Sequence, residues 1–131
     1  MPHTEVVFYQ ELPGEVPVLE WLEQLRHRDE KACSKCLAII HRLAQYGHEL
    51  RRPSADFLRD GVYELRVKRG RVNYRLLYFF HGRNSAVLAH ALTKVDKVPS
   101  GDIERALRRK TLFDGDPQKH SHTKEVEDGE D

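Results

Sequence analysis

Apolar and polar positions recur along this chain in patterns that predict most of its elements. Residues 4–10 are β-branched and aromatic and predict a first strand. Residues 11–17 hold two prolines and a glycine and read as a loop. Pro17 suits the first turn of a helix, where its missing N–H is not needed. Val18, Trp21, Leu22 and Leu25 then recur at helical spacing to about Arg26. Cys33, Cys36, Leu37, Ile40, Leu43 and Ala44 form the apolar stripe of a second helix, which Asp29 can open and Gly47 close. A short charged turn makes the two helices a hairpin. Residues 51–54 are a loop, and three strands follow: 62–68, 71–80 and 85–92, the last small and apolar as a buried central strand is. Their short connections make consecutive pairs antiparallel. Pro99 to Asp102 opens a last helix with Ile103, Ala106 and Leu107 on its apolar side. The predicted order is β-α-α-β-β-β-α. This is an α+β fold, a mostly antiparallel sheet with the helical hairpin on one face, the other face being left for a partner.

The length of 131 residues fits one domain. We assign residues 1–113 to it and read 114–131, which hold one branched aliphatic and no aromatic, as a disordered acidic tail. No apolar run approaches the ~18 residues a bilayer span needs, so no membrane partner is expected. Two cysteines make no disulfide scaffold, and a reducing cytoplasm is the expected compartment. The net charge of +1 hides a strong asymmetry: residues 1–30 sum to −5, residues 31–113 to +11 and residues 114–131 to −5. The basic middle keeps a polyanion partner open.

Strand parity sharpens this. Tyr63, Leu65 and Val67 point one way and Glu64, Arg66 and Lys68 the other; in the next strand Arg71, Asn73 and Arg75 share a side. If these polar sets coincide, Glu64, Arg66, Lys68, Arg71, Asn73 and Arg75 occupy one surface, with Lys94 and Lys97 at its rim. Surface charge is common, and a solvated sheet face accounts for such a stripe. With few acids to compensate it, however, the cluster repels itself unless phosphates bind. The interleaved Tyr74, Tyr78, Phe79 and Phe80 suit the core as well as base stacking. His90 titrates in a useful range, but a histidine on an apolar strand also fits the core. Tyr46, Arg51, Arg52 and Arg59 could extend the basic surface, though each singly reads as ordinary loop charge, and His120 and His122 read as incidental. Cys33 and Cys36 cannot complete a four-ligand zinc site, and no cofactor or metal is expected.

Tyr63-Glu64-Leu65-Arg66-Val67, Tyr74-Arg75-Leu76-Leu77-Tyr78-Phe79-Phe80, Leu88 to Lys94 and Pro99 to Arg109, in that order, resemble the RelE/ParE toxin superfamily, in particular its HigB or phage Gp49-like branch. The resemblance covers about residues 4–113. It implies a RelE-like fold and a metal-independent endoribonuclease that cuts mRNA at the ribosome. It further implies a cognate helix-turn-helix antitoxin, HigA-like, through which alone operator DNA is bound. It places Arg75 on the superfamily's strand-borne catalytic arginine, Arg66 on a basic position of the preceding strand and Lys94 near a basic residue after the last one. Glu64 stands where several members carry lysine. Many members carry a tyrosine or histidine near the C-terminus, whereas this body ends Arg108 to Phe113 with neither.

Metal-free RNA cleavage uses the 2′-OH as nucleophile. It needs a base, cations for the charge that develops on phosphorus, and an acid for the leaving 5′-oxygen. Arg66 and Arg75 fit the cationic role; Glu64 is either the base or their counter-ion, and His90 is a further candidate. Lys68, Arg71, Asn73 and Lys97 would hold RNA. Two other functions share the fold: a ParE-like toxin that poisons DNA gyrase without chemistry, and a module that only binds a partner or operator DNA. The ribonuclease expectation requires the guanidinium groups of residues 66 and 75 to share one side of the sheet and reach solvent.

Overall fold

A computed structural model describes residues 3–94 and 96–123, with Lys94 described for its backbone alone. Strand β1 (Glu5–Tyr9) leads into helices α1 (Pro17–Arg28) and α2 (Glu30–Tyr46), followed by a 3-10 turn at Gly47–Glu49. Strands β2 (Ala55–Arg59), β3 (Val62–Arg69), β4 (Val72–His81) and β5 (Ser85–Lys94) come next, then α3 (Ser100–Gly115) and a short β6 (Ser121–His122). The sheet order is β2-β3-β4-β5-β1-β6. Every pairing is antiparallel except β1 with β5. The α+β class and the helical hairpin on one face are therefore as expected, and the order gains two strands.

Local chemistry explains the hairpin. Asp29 ends α1 and caps α2, its side chain accepting from the Ala32 amide. The same carboxylate holds Arg69 of β3 at 2.7 Å, tying the helix pair to the sheet. Leu22 and Leu25 of α1 and Cys36, Ile40 and Leu43 of α2 pack on Phe8, Leu65, Leu76, Tyr78 and Leu88. Cys33 and Cys36 are free and buried. Gly47 closes α2 at φ +51°, and a side chain there would run into the Thr4 hydroxyl. Gly47→Ala should cost roughly 1–3 kcal/mol from backbone strain alone, before that collision, read as a lower midpoint in urea unfolding.

The second face differs from expectation. It is not left open, because α3 lies across it. Ile103, Ala106 and Phe113 pack on Val7, Tyr9, Leu77, Phe79, Val87 and Ala89. Among the described residues the β2–β3–β4 corner, where the strands carry Glu64, Arg66, Lys68, Asn73 and Arg75, forms an open cleft.

The disordered tail predicted from residue 114 is also corrected as far as His122. Helix α3 runs on to Gly115, and β6 then pairs with β1. The anchor is His120: buried, stacked 5.2 Å from Tyr9 and bonded through Nδ1 to the Gln10 carbonyl at 2.7 Å. Residues 124–131 of that predicted tail lie outside the described residues. Among the described residues no helix is long and apolar enough to cross a membrane.

Candidate functional site

The β3–β4 register decides what the open corner contains. Arg66 stands directly opposite Arg75, Glu64 opposite Leu77, and Lys68 opposite Asn73. On the outer side β2 adds Asp56 opposite Glu64; on the inner side β5 places the Lys94 backbone opposite Asn73. Alternation turns Tyr63, Leu65, Val67, Tyr74, Leu76 and Tyr78 toward the helical hairpin. Glu64, Arg66, Lys68, Asn73 and Arg75 therefore share the other side and line one cleft of about 640 Å³. Lys97, Asp96 and Val98, from the segment before α3, and Ile103 of α3 form its far wall. Leu58, Asp56 and Arg52 close it on the β2 side.

Two guanidinium groups in direct cross-strand register repel each other. Glu64 is the only carboxylate between them among the described residues. Its Oε1 lies 2.9 Å from Arg75 Nε and its Oε2 4.0 Å from Arg66 Nε. The first contact is close but off the N–H axis, so neither atom makes a well-aimed hydrogen bond. Arg75 Nη1 reaches the Tyr74 carbonyl at 3.5 Å. The side chains of Glu64 and Arg75 are each 8% exposed, that of Arg66 33%. The two arginines thus share a side, as the ribonuclease expectation requires, but they are unequal. Arg66 presents its charge to solvent, while Arg75 lies nearly covered beneath it against Glu64. Burial pushes the Glu64 pKa above the ordinary carboxylate value against the pull of Arg75 and Arg66, and Asp56 adds to the rise.

The other predicted residues divide. Arg71 is exposed at the β3–β4 turn and lines no part of this cleft. His90 is not brought into the cleft either. A bulge between the Leu77–His90 and Tyr78–Leu88 pairs turns it under α3, where Nε2 lies 2.7 Å from Asp102 Oδ1. A carboxylate only accepts, so the imidazole proton sits on Nε2. Burial lowers the His90 pKa despite Asp102, keeping the ring neutral near pH 7. Arg109 of α3 donates to the Ala89 carbonyl at this bulge at 2.7 Å. The Lys94 side chain lies outside what is described. His120, pinned on Tyr9, is no substitute for the absent C-terminal acid in the cleft.

Sequence reasoning missed Asp56, and read Arg52 only as loop charge or an extension of the basic surface. The Asp60-Gly61 turn, with φ of +53° and +85°, was the signal that β2 pairs with β3 and sets Asp56 beside Glu64. Among the described residues no group of three or more His, Cys, Asp or Glu side chains is placed to hold a metal ion.

The family model described as phage derived protein Gp49-like (DUF891) matches residues 20–111. The chain belongs to this Gp49-like family. The match starts in α1 and ends in α3, so it takes in every residue of the cleft. Membership supports a toxin of the toxin–antitoxin kind, a type of protein typically paired with an antitoxin. No curated protein matches the chain at a significant level.

Proposed function

We propose that this Gp49-like protein is a metal-independent endoribonuclease of a type II toxin–antitoxin pair, cutting mRNA in the β2–β3–β4 cleft, in association with the ribosome. The observation that carries this reading is the Arg66–Arg75 rung with a single buried glutamate between the two charges. A scissile phosphate supplies the anion this rung lacks. Arg66 takes its oxygens by paired hydrogen bonds, and Arg75 lends charge from below. Lys68 and Lys97 hold the neighbouring backbone. As the 2′-oxygen attacks phosphorus, its proton passes to a base and the 5′-oxygen leaves with a proton, giving a 2′,3′-cyclic phosphate and a 5′-hydroxyl. Burial raises the Glu64 pKa above that of an ordinary carboxylate, and we assign Glu64 the role of holding that proton in place of His90. The partner is a helix-turn-helix antitoxin, HigA-like, which alone carries operator DNA.

Purified protein, incubated with mRNA and intact ribosomes, should yield new 5′-hydroxyl ends that primer extension maps and 2′,3′-cyclic-phosphate 3′ ends on the upstream fragments. Intact transcripts together with DNA damage in expressing cells would instead support gyrase poisoning, and neither effect would leave a binding module.

A further inference from the structure

On the reading that Glu64 moves the proton in this cleft, we infer that Asp56, gripped by Arg52, is a positioning residue that sets when Glu64 holds that proton. Nothing in the family match assigns either residue a part. Asp56 and Glu64 are register partners on adjacent strands, both lining the cleft. Two carboxylates so placed resist ionising together, and the proton falls to the more buried of the two, which is Glu64. Asp56 stays ionised because its own contacts demand it. Its Oδ2 takes Arg52 Nε at 3.0 Å and Nη2 at 2.7 Å, and its Oδ1 accepts from the Phe57 amide at 3.0 Å. These bonds hold the Asp56 carboxyl below its ordinary range, the Arg52 bond first.

Arg52 therefore tempers how much of the Asp56 charge reaches Glu64. It sits at the cleft mouth with its side chain 71% exposed, where an RNA phosphate can draw it from Asp56. Bound substrate would then strengthen the Asp56 field on Glu64. The remaining charges facing Glu64 are accounted for. Arg66 on its own strand and Arg75 from β4 favour its ionised form. Lys68 on the same strand, and Asp96 and Lys97 from the segment before α3, also line the cleft. His90, neutral on the same sheet rung beyond Leu77, is committed to Asp102 of α3.

The test compares wild type with Asp56→Asn, whose amide oxygen can still accept from Phe57, and with Arg52→Gln. Glu64 is titrated directly in each by carboxyl 13C NMR, and the pH profile of mRNA cleavage is recorded alongside. Asp56→Asn should lower the Glu64 midpoint by roughly half a pH unit and Arg52→Gln should raise it by a comparable amount. The corresponding limb of the cleavage profile should move the same way. A Glu64 midpoint that stays put in both folded variants overturns the inference, as does movement in the same direction in both. Opposite shifts in the two variants, together with a wild type that cleaves no RNA at any pH, would uphold Asp56 as the residue controlling Glu64 and defeat the ribonuclease reading alone.

Discussion

Arg66→Ala should leave the protein folded and nearly inactive. The side chain is one-third exposed, its closest carboxylate contact is the long one to Glu64 at 4.0 Å, and the backbone bond from the Arg66 amide to the Ser54 carbonyl does not involve it. Its removal relieves the cross-strand repulsion with Arg75, so stability should change by no more than about 0.5 kcal/mol. Cleavage is another matter. A donor aimed at charge that develops only in the transition state is worth roughly 10²- to 10³-fold in rate. Expression of wild type in a bacterium should arrest growth, and Arg66→Ala should not. In single-turnover cleavage the rate of the variant should fall by that factor while its thermal midpoint holds. A variant that cleaves within tenfold of wild type would show that the exposed guanidinium is not the phosphate grip.

Arg66 is the informative probe because sequence and structure agree on it for one reason, strand parity. The run from Tyr63 to Lys68 alternates cleanly, and Asn73 and Arg75 share a parity although apolar residues fill both parities from Leu76 to Phe79, so facing sets follow once the pairing is known. What parity cannot supply is what lies above each face. Ile103, Ala106 and Phe113 make α3 amphipathic, but nothing in their spacing tells which sheet face the helix covers or how far along. Its placement over β1, β4 and β5 turns an open face into a corner cleft. The bulge at Ala89 was illegible for a related reason: one extra residue shifts every later side chain of β5 to the other face, and no turn residue marks it.

The second strand was hidden by composition. Ala55-Asp56-Phe57-Leu58-Arg59 has no β-branched residue, and as an edge strand it exposes Phe57 instead of alternating into a core. The segment after α3 looked disordered because charge dominates it. One buried histidine against Tyr9 and a two-residue pairing with β1 hold it in place, and such a contact depends on a residue more than a hundred positions away.

Arg75→Met should have the largest effect on stability, and the effect should depend on pH. Removing one member of a buried ion pair leaves the other charge uncompensated, at a cost of about 3–5 kcal/mol. Here the stranded group is Glu64, whose folded pKa already lies above the ordinary carboxylate value of 4.5 because of burial. A group whose pKa is raised on folding contributes its stability below the unfolded pKa and loses it as pH rises through the folded one. Without Arg75 that upper value climbs further. The deficit of the variant should therefore be small near pH 4, where Glu64 is protonated, and open progressively toward pH 7. Urea unfolding at a series of pH values measures it. Pairing Arg75→Met with Glu64→Leu should recover most of the loss at pH 7, since two apolar side chains can pack where an imperfectly aimed ion pair sat. The double variant should be stable and unable to cut RNA, which would mark the Glu64–Arg75 pair as kept for chemistry at the expense of stability. An equal deficit at both ends of the pH range, or a double variant less stable than Arg75→Met alone, would show that the pair holds the corner of the sheet together in its own right.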